Sequence, residues 1–171
     1  VLLRDRDLTS LPAQRRTRLG VARTFQACQI WRRMTVLENV IVGAHTRTRA
    51  GLIRSLIVPS RLRREEQRVR DRALELLAFV GLADRSGDPA GSLAFGDQRR
   101  LEVARALASE PDILLLDEPV AGMHPREIGD MTMLIEQIRA AGITVLLVEH
   151  HVDLVMHLSD RVTVLDGGRV I

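Results

Sequence analysis

Two acids, Asp117 and Glu118, follow the unbroken apolar run Ile113-Leu-Leu-Leu116 and precede Pro119. Buried charge is costly unless a metal or a strong partner compensates it. An acid in that place can hold magnesium, directly or through water, and a second acid beside it can orient and deprotonate an attacking water. Two solvated acids before a proline turn satisfy the same pattern, so the pair alone leaves both readings open. The arrangement recurs downstream, where Ile143-Thr-Val-Leu-Leu-Val148 ends in Glu149-His150-His151. An imidazole at a neighbouring strand end can hydrogen-bond a terminal phosphate. His45, His151 and His157 read as ordinary loop or surface residues. A third candidate is Leu93-Ala94-Phe95-Gly96-Asp97-Gln98, at the mouth of a helix. Glycine there lets a ligand approach the backbone, and the exposed N–H groups and helix dipole favour anions. An ordinary amphipathic helix fits that stretch as well.

These groups need elements to place them. From Arg99 onward the pattern alternates helix and apolar strand: a helix to Ala108, a strand over 113–116, a helix over 125–141, a strand over 143–148, a helix over 152–158 and a third strand over 161–165. Short continuous apolar runs between turn signals predict strands buried on both faces of an open, mostly parallel α/β sheet. In such sheets, binding groups gather at the carboxyl ends of the strands. The earlier half differs. Val21 to Phe25 is extended, with Ala22 and Thr24 on one side. Thr35 to His45 and Arg61 to Val80 have helical periodicity, and Gly167-Gly168 reads as a hairpin turn.

Composition narrows the function. At 171 residues, 46% hydrophobic and 27% charged, the chain can bury one core. No stretch approaches the run of about 18 apolar residues that a membrane span requires, so membrane association would run through a partner. All 25 basic residues are arginine. They are interleaved with acids, as in Arg61-Leu-Arg-Arg-Glu-Glu-Gln-Arg, which is how a solvated helix face looks. With 2% aromatics there is little to stack on bases, and nucleic acid is not expected as a partner. Cys28 is the only cysteine, which excludes an internal disulfide or a cysteine-based zinc site.

The order of the motifs resembles ATP-binding cassette (ABC) ATPases, and within them the subunits of branched-chain amino acid importers. Leu93 to Gln98 looks like the signature motif, Leu114-Leu-Leu-Asp-Glu-Pro119 like the Walker B strand, and Ala121-Gly-Met-His-Pro125 like the D-loop. Val148-Glu-His150 resembles the switch histidine, Arg23-Thr-Phe-Gln26 the glutamine loop, and Asp160 to Asp166 the last core strand. The likeness covers nearly the whole chain. It implies a partial RecA-like P-loop NTPase core over 1–26 and 93–171, with a helical subdomain inserted over 27–92. Its ligands would be ATP and Mg2+. Asp117 and Gln26 would stand at the metal, Glu118 would be the general base, and His150 would bridge the γ-phosphate. Leu93, Ala94, Phe95, Gly96, Asp97 and Gln98 would present N–H groups across a head-to-tail dimer.

Implied partners are a second ATPase subunit, alike or different, membrane permease subunits and, indirectly, an extracytoplasmic solute-binding protein. The setting would be peripheral, on the cytoplasmic face of the plasma membrane, and the task ATP-driven uptake of branched-chain amino acids or similar small polar solutes. Three departures qualify this. With no lysine, the 171 residues contain no Gly-x-x-x-x-Gly-Lys-Ser/Thr phosphate loop, and the sequence reads as a fragment. Asp97 stands where this branch usually has glutamine, and His124 where relatives carry Asp or Asn. The alternative is a non-catalytic partner or gene remnant that contributes only a signature helix.

Overall fold

The computed structural model describes residues 2–25, 29–46 and 59–171. The expected glutamine-loop residue Gln26 lies outside the described residues. A hairpin opens the chain, β1 (Leu2–Leu3) against β2 (Arg6–Asp7), with Arg4 and Asp5 both at positive φ. Pro12 caps α1 (Ala13–Arg18), and Gly20 turns the chain into β3 (Val21–Arg23). Ala22 and Thr24 point inward and are buried, as the alternation predicts.

Helix α2 (Val36–Gly43) begins at a capping box. The Thr35 hydroxyl accepts from the Glu38 N–H at 3.1 Å, and the Glu38 carboxylate accepts from the Thr35 N–H at 2.7 Å. The backbone N–H first, and the hydroxyl second, hold the Glu38 carboxyl below its ordinary value. Helix α3 (Pro59–Phe79) starts at its proline, which suits a first turn whose N–H groups lack partners anyway. Ala73, Leu76, Leu77 and Val80 form its buried stripe, and Gly81 at φ 76° ends the run.

The remaining elements are α4 (Phe95–Leu107), β4 (Ile113–Asp117), α5 (Pro125–Ala140), β5 (Thr144–Val148), α6 (Val152–Leu158) and a closing hairpin, β6 (Leu165–Asp166) with β7 (Arg169–Val170). Strands β3, β4 and β5 form one parallel sheet in that order, with β4 in the middle. A continuous apolar core joins the sheet (Leu114, Leu116) to α4 (Leu101), α5 (Met131, Ile138) and the α2–α3 pair (Val36, Leu77).

Two expectations about strands need correction. Burial on both faces fits β4 only in part, since Leu114 and Leu116 are covered while Ile113 and Leu115 are half-buried. It does not fit β5, whose Leu146 and Val148 are each 52% exposed. β5 is the outer strand of the described sheet, and no described layer covers those side chains. The third strand expected over 161–165 does not join the sheet either. Only Leu165–Asp166 is paired, in the terminal hairpin, and Val162 and Val164 are exposed. An extended segment becomes a strand by pairing with a neighbour's backbone, and among the described residues none lies alongside 161–163. The Val164 carbonyl accepts instead from the Ile171 N–H at 3.1 Å.

Leu101 is fully buried at the centre of α4, so Leu101→Ala is expected to lower unfolding free energy by about 2–5 kcal/mol in urea titration. Thr35→Ala is expected to cost about 1 kcal/mol by the same measurement. The folded pKa of Glu38 is depressed, so its bonded carboxylate contributes above the unfolded pKa, and that contribution is lost as pH falls through the folded one. The Thr35→Ala deficit should therefore narrow on acidification.

Candidate functional site

Parallel register aligns the ends of β4 and β5, since Asp117 pairs with Val148. The residues that follow each strand therefore emerge at one edge of the sheet. The Glu118 N–H donates to the Val148 carbonyl at 2.9 Å, and Glu118 itself sits at φ 46°. A non-glycine residue in that left-handed region costs backbone energy and is held there by its surroundings. Asp117 accepts from the Arg23 guanidinium at 2.9 Å, and its N–H donates to the Thr24 hydroxyl at 3.4 Å. From the end of β5, His150 Nδ1 comes within 3.8 Å of Glu118 Oε1 and 3.7 Å of Glu149 Oε2, with its imidazole largely exposed. Asp117, Glu118 and His150 are thus gathered at one place.

Sequence reading passed over Glu149. Its side chain is fully covered. Its carboxylate accepts from the N–H groups of Val120 (3.3 Å), His150 (3.0 Å) and His151 (3.4 Å). One buried acid therefore ties the turn after β4 to the turn after β5. The signal in the sequence is an acid directly between an apolar strand and two histidines.

Leu93 to Gln98 forms a second patch. Ala94 is the N-cap of α4 and supplies no side-chain cap, which leaves the first-turn N–H groups without that usual partner. Leu93 is buried, Phe95 is exposed, and Gln98 donates from its N–H to the Ala94 carbonyl (3.0 Å) and from Nε2 to the Leu93 carbonyl (2.8 Å). Gly96 is buried where α4 meets α5, and a side chain there would run into the Glu127 carboxylate. A larger residue there would have to displace the Glu127 side chain. The Phe95 ring lies over Gly122, so this patch rests on the 121–125 segment and the first turn of α5.

Both unusual residues are accommodated. Asp97 forms a 2.5 Å ion pair with Arg100 one turn along α4, so its charge is balanced within the helix. His124 is the N-cap of α5, and its N–H donates to Glu127 at 2.9 Å. Among the described residues, no group of three or more His, Cys, Asp or Glu is placed to hold a metal unaided. An ion at Asp117 would need further ligands from a substrate, which is how magnesium is commonly bound beside phosphates. One carboxylate at a strand end fits that habit.

A family model for the ABC transporter family matches residues 1–121. The chain belongs to that family. This ABC chain is 43% identical over 169 residues to the high-affinity branched-chain amino acid transport ATP-binding protein LivG of Escherichia coli strain K12, covering 98% of itself and 66% of that relative. It is 38% identical over 169 residues to the corresponding BraF protein of Pseudomonas aeruginosa, again covering 98% of itself and 66% of the relative. A solved ATP-binding cassette of an ABC transporter, in its ADP conformation, superposes with a TM-score of 0.80 at 32% identity, over 98% of this chain and 65% of that one. The fold class is therefore the α/β, RecA-like P-loop core of ABC cassettes, and the chain spans 66% of the length of the curated relatives it matches.

Glu149→Ala would leave three backbone N–H groups without their acceptor. The expected loss is about 1–3 kcal/mol of unfolding free energy, read by urea titration, with faster amide exchange at Val120, His150 and His151.

Proposed function

We propose that this ABC chain is part of an ATP-hydrolysing subunit that drives import of branched-chain amino acids or similar small polar solutes. The observation that carries this reading is the convergence of Asp117, Glu118 and His150 at the ends of two paired parallel strands. Asp117 would hold magnesium together with the nucleotide phosphates, and the ion would supply neutralisation of phosphate charge. Glu118 is the general base that orients and deprotonates the attacking water. His150, reaching the same edge with an exposed imidazole, hydrogen-bonds the γ-phosphate. Gln26 is assigned to the metal and water by the family resemblance alone.

The signature patch serves a second nucleotide. Leu93, Ala94, Phe95, Gly96, Asp97 and Gln98 present the uncapped start of α4 to a phosphate held by a facing subunit, alike or different. The Asp97–Arg100 pair removes the repulsion a lone carboxylate would exert there. The phosphate loop itself must come from outside these 171 residues, which contain no lysine.

Residues 1–26 with 93–171 act as the ATPase core and 27–92 as the helical insert. A cavity of about 590 Å³ lies where the two meet, lined in part by Arg23, Phe25, Ile30, Trp31 and Arg105. Phe25 and Trp31 are 43% and 46% exposed on it. Exposed aromatics rimmed by arginine suit a docked protein segment, and permease subunits are the partner assigned to this groove. No helix among the described residues is long and apolar enough to cross a membrane, so contact with the cytoplasmic face of the plasma membrane runs through those subunits. An extracytoplasmic solute-binding protein would set the solute.

Glu118→Gln in the assembled transporter tests this. Turnover should fall about 10²–10⁴-fold while nucleotide binding is retained. Unchanged turnover would remove Glu118 from the role of base. ATP binding without any hydrolysis in the unaltered assembly would favour the non-catalytic partner instead.

A further inference from the structure

Glu149 is a fully covered acid beside the site, and the chemistry assigned above gives it no role. A buried carboxylate is normally balanced by a guanidinium or a metal. Among the described residues no arginine pairs with Glu149, and its compensation comes from backbone N–H groups divided between its two oxygens. Oε1 accepts from Val120 at 3.3 Å, and Oε2 accepts from His150 at 3.0 Å and His151 at 3.4 Å. The two sets of donors belong to different turns. Val120 lies in the turn after β4, which the Ala121 N–H closes on the Glu118 carbonyl at 3.2 Å. A hold on Val120 is therefore also a hold on Glu118. His150 and His151 lie in the turn after β5. The three groups that Glu149 binds are all donors, so the position calls for two acceptor oxygens and no donor. A carboxylate supplies that, and a carboxamide, with one oxygen and one NH2, does not.

We propose that Glu149 is a positioning residue for ATP hydrolysis, a two-oxygen clasp that sets the separation of His150 from Glu118. The proposal rests on the reading above, in which Glu118 is the base and His150 meets the γ-phosphate. The Glu149 side chain is covered by the protein, so it touches neither the attacking water nor the nucleotide. It works through the backbones of Val120 and His150, which bring His150 Nδ1 to 3.8 Å from Glu118 Oε1. Those two groups must meet one phosphate and one water, and loosening either turn disperses the arrangement that the chemical step needs. ATP affinity rests mainly on the phosphate loop, which Glu149 does not hold in place.

Glu149→Gln tests the clasp at nearly constant shape. The carboxamide must turn its NH2 toward one of the two sets of donors, which releases that turn. In the nucleotide-free full subunit, amide exchange should rise about tenfold or more at Val120, at His150 and His151, or at both sets. Thr144, whose N–H donates to the Asp112 carbonyl at the far end of the sheet at 3.0 Å, should be unchanged. Unchanged exchange at both turns, or acceleration at Thr144 as well, overturns the clasp. In the assembled transporter the same variant should lower kcat about 10- to 100-fold with KM for ATP unchanged. An unchanged kcat, or a rise in KM alone, denies Glu149 a positioning role. Should Glu149→Gln not fold, Glu149→Asp keeps the charge and both oxygens but is one methylene too short to span both turns. The same exchange and kinetic outcomes are expected of it, and the same contrary results overturn the proposal. The exchange arm needs no nucleotide, so it can fail with the ATPase reading intact, and loss of that reading through Glu118→Gln leaves it standing.

Discussion

The pairing of β4 with β5 sets where every strand-end group can be. Five residue pairs run in parallel register from Ile113 with Thr144 to Asp117 with Val148. A slip of one residue would turn each side chain to the opposite face of the sheet. It would also carry His150 away from Glu118 and strip Glu149 of the N–H groups it joins. The buried faces of Leu114 and Leu116 hold the register on one side, and the covered Glu149 carboxylate locks its far end. The left-handed turn at Glu118 is held in place by the same bond to Val148.

Charge is organised around that sheet in an unusual way for a chain whose only basic side chains besides histidine are arginines. Planar guanidiniums suit buried and bidentate partners better than ammonium groups. Arg23 spans to Asp117, Arg99 and Arg105 flank Glu102 inside the protein, and Arg139 grips Asp160 through both carboxylate oxygens at 2.8 Å. Breaking a buried pair of the Arg99–Glu102 kind costs about 3–5 kcal/mol because the remaining charge is stranded. The Arg23–Asp117 and Arg139–Asp160 pairs act as latches between segments apart in sequence, in addition to the apolar core.

Much of this was legible in the residues because local signals and motif order agreed. The helical periodicity over Thr35 to His45 and Arg61 to Val80 matches α2 and α3, and the alternation of Ala22 and Thr24 matches the buried side of β3. The acids after Leu116 and the histidine after Glu149 emerge together because strand ends in parallel sheets coincide. What was hidden depends on contacts between distant segments. The row Arg99, Glu102 and Arg105, three residues apart, looks the same whether water or the Phe25 backbone lies against it. The apolar runs 143–148 and 161–165 carry the composition of covered strands, yet which strands flank them is a matter of topology, not of composition. Asp97 stood out against the family pattern, and its ion pair with Arg100, three residues on, is what the residue types alone did not reveal.

The outer position of β5 carries a consequence for the isolated chain. Strand edges are templates for pairing with another polypeptide, and proteins usually blunt them with charge, proline or a bulge. Thr144 to Val148 holds none of these, and Leu146 and Val148 add a half-exposed apolar face beside the edge. The strip has the composition of an aggregation hot spot, uncharged and rich in β-branched and leucine side chains. Solubility of this polypeptide on its own is thus a race between refolding and edge-to-edge stacking, and protein concentration decides the winner.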